Sequence, residues 1–254
     1  LLVLVTVVLT MMLIRTLGQA SKGDINPSEV GLVLGYTLLG NLHIILTLSL
    51  FLSVGSCLSR MYRDSEMVVW VASGIGLLGF LKPIVRFCLP VWVLIGLLAF
   101  WVWPWTHQQN QELRERFRQR SDLDEIRRLA PQFTTQAMTT MDLWRNPNRF
   151  SMAELAWRAG LLWAAINLCL LAVSVARINP RTTRQGQILL GLFTFIIYYN
   201  LINLGQSWIA NARVGWLSHV LILHGAITLV ALTLIWARNG HWHWRLRWSV
   251  RASA

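Results

Sequence analysis

Six stretches of this chain contain no charged residue: 1–14, 30–59, 87–111, 159–176, 185–212 and 214–237. About 20 apolar residues suffice to carry a helix across the hydrocarbon core of a bilayer. A helix is also one of only two structures that satisfy their own backbone polar groups in lipid. The spacing therefore predicts an all-α membrane protein with six transmembrane helices. Pro90, Gly191 and Gly225 fall inside these runs, which membrane helices tolerate. Charged residues make up 13% of the sequence, against roughly 25% in a soluble domain. With 55% hydrophobic residues, a disordered chain is excluded, since disorder needs low hydrophobicity. The chain opens Leu-Leu, without Met or a basic n-region. That favours a missing N-terminus over a signal peptide.

Lys and Arg number 23 against 11 Asp and Glu. No basic stripe with interleaved aromatics stands apart from an apolar run, so nucleic acid is not the expected partner. The excess instead fits the arginines that flank membrane spans. Segments 59–86, 177–186 and 238–254 hold Arg60, Arg63, Lys82, Arg86, Arg177, Arg181, Arg184, Arg238 and further arginines, opposed only by Asp64 and Glu66. The positive-inside rule places these segments, and both termini, in the cytoplasm. Segments 16–29 and 106–158 and residue 213 fall on the other side; long translocated segments escape the rule. Trp101, Trp103, Trp105, Trp208, Trp216 and Trp236 read as interface anchors. The tail 238–254 is basic and aromatic, as expected of a segment resting on an anionic leaflet.

No catalytic set is present: the chain has no phosphate loop, no GxSxG elbow and no HExxH. Cys57, Cys88 and Cys169 form no CxxC pair, so they read as buried small hydrophobes and no metal site is expected. His43, His219 and His224 lie in the apolar runs. With no carboxylate in those runs they read as helix-packing residues and not as a proton relay.

Between the second and third runs lies Tyr62-Arg-Asp-Ser-Glu-Met-Val-Val-Trp-Val-Ala-Ser-Gly74. Asp64 or Ser65 can cap a helix start. Glu66 suits the first turn, and Gly74 can end the helix. Its apolar residues Met67, Val68, Trp70 and Val71 need a partner. They could rest on lipid, or they could dock into a cytoplasmic motor with Asp64 and Glu66 pairing to its basic residues. Arg15 and Lys22 follow the first run, and Arg213 follows the fifth. Each could snorkel or face an anionic lipid head group.

Taken in order, these features resemble the lipopolysaccharide-export permease family (LptF/LptG). The Ser65-Glu66-Met67 helix ending Ala72-Ser73-Gly74 and the Asn179-Pro180-Arg181 loop after the fourth run carry the resemblance, and the stretch Ser49–Gly74 is most like LptF. The chain departs from the family in continuing with Thr182-Thr183-Arg184. It also lacks the periplasmic β-jellyroll that members carry between spans three and four. Only flanks of that domain are expected here, with Ala130-Pro131-Gln132-Phe133 as its entry and Met141-Asp142-Leu143-Trp144 as its exit.

The resemblance implies the following organisation. Residues 1–105 hold spans one to three, with a coupling helix at about 62–74. Residues 106–156 are the periplasmic flanks, 157–237 hold spans four to six, and 238–254 form a basic cytoplasmic tail. It implies a non-catalytic inner-membrane permease of a Gram-negative bacterium that moves lipopolysaccharide toward the outer membrane. The implied partners are an LptG-like permease, two copies of the ATPase LptB, LptC and membrane lipids. ATP and Mg would be bound by that ATPase and no cofactor by this chain. Arg15, Lys22 and Arg213 would meet the lipopolysaccharide, and Asp64, Glu66, Met67, Val68 and Trp70 would meet the ATPase. Two alternatives remain: a secondary transporter, or another ABC permease for a different lipid or lipoprotein cargo. The first predicts acids inside the spans and an internal repeat.

Overall fold

The computed structural model describes residues 30–121, 135–176 and 184–251, together with Thr10, Met11, Leu13, Ile14 and Gly18, which are helical. Most of the first apolar run lies outside the described residues, as do Arg15, Lys22, the segment 122–134 and the Asn179-Pro180-Arg181 loop. The described chain is helical without strands: α1 (Val30–Arg63), α2 (Glu66–Ala72), α3 (Leu77–Leu97), a π-helical turn (Leu98–Val102), α4 (Trp103–Ser121), α5 (Thr140–Arg145), α6 (Arg149–Val175), α7 (Arg184–Ala210) and α8 (Trp216–Arg251). Five segments are long and apolar enough to cross a membrane: Val30–Arg63, Leu78–Leu113, Arg149–Val175, Ile188–Ala210 and Trp216–Arg238.

Successive long helices alternate in direction, which gives the bundle two ends. The α2 end carries the turn between α1 and α3 and the start of α7. The insert end carries α4, α5 and the turn between α7 and α8. Helix α6 is the axis of the bundle, packed against α1, α7 and α8. Its sequence explains why: Ala153, Ala156, Gly160, Ala164, Ala165, Cys169 and Ala172 let neighbouring backbones approach closely. By contrast α3 and α7 leave Phe87, Val93, Leu94, Phe193 and Ile197 exposed on their outer faces, as helices against lipid or partner spans do.

One group of polar side chains inside the bundle is paired across helices, whereas both ring nitrogens of His43 are buried without a hydrogen-bond partner among the described residues. On α6, Asn167 donates to the Tyr198 hydroxyl (2.9 Å) on α7 and to the His224 carbonyl (3.0 Å) on α8. Tyr198 meets His224 Nδ1 at 2.6 Å, and Thr228 donates to Asn167 Oδ1 at 2.7 Å. Each such interhelical bond contributes roughly 0.6 kcal/mol in a membrane protein. His224 is thus a packing residue. His43 is also fully buried, boxed edge-on by Trp103 and Trp157 at centroid distances of 5.3 and 5.8 Å. At the α2 end Arg238 donates to the Ser174 carbonyl and lies 5.9 Å from the Tyr62 ring centre, tying α8 to α6 and α1.

Several sequence expectations are corrected. Helix α6 begins at Arg149, ten residues before its uncharged run, so Glu154 and Arg158 belong to the span and the expectation of no carboxylate there fails. Trp103 is not an interface anchor but a core residue, 7% exposed. Trp101 and Trp105 do remain exposed, yet the helix continues past them to Ser121 through the π turn. Cys57 is exposed; only Cys88 and Cys169 are buried, with sulfurs 4.0 Å apart.

Candidate functional site

Helix α2 projects from the α2 end as a separate short element. Its start is not made as the sequence led us to expect. Ser65 takes the left-handed conformation (φ 61°) and its side chain does not cap the helix. Asp64 lies beside Arg63 (3.9 Å), both half-exposed, a pair worth little in water. The stop is made as expected. Gly74 adopts φ 88°, its N–H bonds the Val71 carbonyl (3.0 Å), and the Ile75 N–H bonds that of Trp70 (3.1 Å). That double closure is a Schellman turn, which favours glycine at the left-handed position.

Met67 turns inward and is 2% exposed, so it serves the protein's own core. Val68 and Val69 are 61% and 69% exposed, and Trp70 remains 45% exposed although its ring packs edge-on against Phe80 (6.0 Å). Glu66 is exposed in the first turn. The result is an apolar knob rimmed by Asp64 and Glu66, held out on a short rigid helix.

At the insert end, Arg213 is exposed in the turn from α7 to α8. Its backbone N–H bonds the Trp208 carbonyl (2.9 Å), a closure like that after α2, with Ala212 at φ 57° in the place of glycine. The turn fixes the backbone of Arg213 and leaves its side chain at the rim. Arg213 and α2 therefore lie at opposite ends of the bundle and form no common site.

The insert end also holds a buried constellation that sequence reasoning missed. Glu154 and Arg158 are 1% and 0% exposed, with Arg158 Nε donating to Glu154 Oε1 at 3.1 Å. The same oxygen accepts from Trp103 Nε1 (3.1 Å), and Oε2 accepts from Gln206 Nε2 (2.8 Å). The guanidinium's other nitrogens reach Thr140 Oγ1 (2.9 Å) and the carbonyls of Gln136 (3.2 Å) and Met138 (3.1 Å). Buried charges persist only when paired and hydrogen-bonded, and these are. The available signal was the spacing: Glu four residues before Arg is the favourable order on a helix.

An apolar cavity of about 160 Å³ opens between α1, α6 and α7, lined by residues such as Phe51, Leu52, Ala172, Gly191 and Thr194. No group of three or more His, Cys, Asp or Glu that could hold a metal occurs among the described residues.

The family model described as "Lipopolysaccharide export system permease LptF/LptG" matches residues 1–129 and 121–237. Two relatives named "Lipopolysaccharide export system permease protein LptF", from Escherichia coli K12 and Shigella flexneri, are each 30% identical over 101 residues, or 40% of this chain. The matched stretch spans 28% of each relative's length.

Proposed function

Because the chain belongs to the LptF/LptG lipopolysaccharide-export permease family, we propose that it is the membrane subunit of an ATP-driven transporter of lipopolysaccharide. The match through both halves of the helical bundle carries this reading. The α2 end is cytoplasmic, the insert end periplasmic, and both termini cytoplasmic, in the inner membrane of a Gram-negative bacterium.

The chain holds no nucleotide and performs no bond chemistry. It works with an LptG-like permease, two LptB ATPases and LptC. The knob of Val68, Val69 and Trp70 seats in a groove of one ATPase, with Glu66 and Asp64 meeting basic residues at its rim. Met67 acts from the inside, fixing α2 to the bundle so that a push on the knob moves α1 and α3. Burial of Trp70 and its neighbours supplies the docking energy, at about 25 cal/mol per Å² of apolar surface.

The cargo's acyl chains need an apolar enclosure, because each CH₂ moved from lipid to water costs about 0.8 kcal/mol. Helices α1 and α7, with the first span, line that enclosure. The phosphates of the head group need cations at the periplasmic rim. Arg213, exposed in the turn from α7 to α8, takes that role together with Arg15 and Lys22. The family's β-jellyroll, of which this chain carries only the flanks between α4 and α5, would receive the expelled lipid.

Glu154 is an acid inside a span, which a secondary transporter requires. It does not favour that alternative, because Arg158 offsets its charge and both its oxygens are engaged.

Native mass spectrometry of the complex released from detergent tests the proposal. Two ATPase copies, a sister permease and added lipopolysaccharide mass are expected. A species that carries no ATPase refutes the ATP-driven reading.

A further inference from the structure

The Glu154–Arg158 pair joins four separate parts of the chain. Glu154 takes Gln206 from α7 and Trp103 from α4. Arg158 holds the stretch 136–140 that leads back from the extramembrane segment into α5. Thr140 hands the connection on, donating to the Phe100 carbonyl at 2.6 Å. Phe100 lies in the π turn, where the backbone ladder is displaced from its α register; such turns recur at functional sites. Gln108 adds a bond to the Ala137 carbonyl (2.6 Å). A continuous path of polar contacts thus runs from α7 through Glu154 and Arg158 to the returning chain.

Its two halves differ in how firmly they are held. On the α4 side Trp103 and Arg158 are buried, and half-buried Thr140 is engaged twice, by Arg158 and with the Phe100 carbonyl. On the α7 side the pair is held by the hydrogen bond from Gln206, which is half-buried. The outer face of α7 exposes Leu189, Phe193, Ile197 and Leu204, so the helix packs on one side only and can follow whatever covers the other. Apolar residues of similar volume would hold these helices together at least as well as a buried ion pair. What they would not supply is a directional contact that a shift of α7 can break.

We infer that Glu154 and Arg158 are a positioning pair that couples the place of α7 to the hold on residues 136–140. When α7 moves away, Gln206 leaves Glu154, the carboxylate loses a donor, and the guanidinium is drawn toward it and away from the carbonyls of Gln136 and Met138. The returning chain, and anything mounted on it, is then loosened in step with α7. The inference rests on the proposed ATP-driven cycle, which supplies the movement.

Hydrogen–deuterium exchange on the whole complex with its ATPase, nucleotide-free and ATP/vanadate-trapped, tests this. In the wild type, exchange at 136–140 is expected to rise severalfold in one state relative to the other, alongside a change at α2. Gln206→Met should abolish the difference at 136–140, leave that at α2, and lower lipopolysaccharide released per ATP hydrolysed without lowering ATP hydrolysis. Asn203→Leu breaks the neighbouring α7 contact to Trp157 (2.8 Å) without touching the pair, and should preserve the response. A response that survives Gln206→Met, or that Asn203→Leu abolishes equally, overturns the assignment. So does a wild type in which α2 responds and 136–140 does not. If neither region responds to nucleotide, the ATP-driven reading falls and the inference falls with it.

Discussion

Replacing Arg158 by Met is the severest single test of the insert-end network. The substitution keeps an unbranched apolar stem, so little packing volume is lost. It removes the one cation that pairs with Glu154 among the described residues, Glu154 being 1% exposed, and strips the donors from Thr140 and from the carbonyls of Gln136 and Met138. Breaking a buried pair from one side costs about 3–5 kcal/mol, because the partner charge stays buried. Removing both charges in Glu154→Met/Arg158→Met should cost less than the two single changes added together. The interaction energy should be about 2–3 kcal/mol, the upper part of the range for residues in one network. Equilibrium unfolding in mixed micelles of detergent and SDS measures all three variants against wild type. An Arg158→Met loss below about 1 kcal/mol, or strict additivity, would refute the claim that this charge is compensated within the bundle.

Three smaller changes probe other parts of the bundle. Ala212→Gly should stabilise the protein by roughly 0.5–1 kcal/mol in the same unfolding assay, since it relieves a left-handed alanine at φ 57° costing about 1–2 kcal/mol, less the chain entropy that glycine adds. Tyr198→Phe withdraws the hydroxyl shared by Asn167 and His224 and should cost about 1 kcal/mol; an unchanged midpoint would show those groups find other partners. Gly205→Ala would set a methyl 1.7 Å from His219 Nε2, costing about 1–3 kcal/mol through overpacking, and adding His219→Ala should restore most of the loss.

The spans were legible in the sequence because lipid imposes one simple rule, a long uncharged run. The stop of α2 was legible because only glycine adopts φ 88° at no cost. The start of α2 was not: several residues can cap a helix, and here Ser65 takes a left-handed turn instead of offering its hydroxyl. Which face of α2 points inward was also hidden. Met67, Val68 and Trp70 are equally apolar in a list, and only the packing of α1 and α3 decides that Met67 is buried while its neighbours are not. The role of Trp103 was unreadable for a related reason. A tryptophan near a span end suits the membrane interface and also suits a buried acceptor, and the acceptor, Glu154, lies 51 residues away.

Glu154 itself was hidden by the criterion and not by the chemistry. A run defined as uncharged ends at its first charge, so Arg158 sets the boundary and Glu154 falls in the extramembrane flank. The sequence carries a competing signal. Asn146-Pro147-Asn148 marks a chain that cannot yet be helical, and Asn148 Oδ1 does accept from the Ser151 N–H at 2.7 Å, the helix-start bond that asparagine is suited to make. From Arg149 onward no Pro or Gly intervenes before Gly160. A helix that starts at a cap and meets no breaker must carry Glu154 and Arg158, and a separation of four puts them on one face. Once they are inside a span, the high energy of an unpaired charge in lipid requires that the surrounding helices supply partners. The need for Trp103, Gln206 and the chain at 136–140 to converge on α6 follows from that requirement; their identities do not, because they are set by which helices pack beside it.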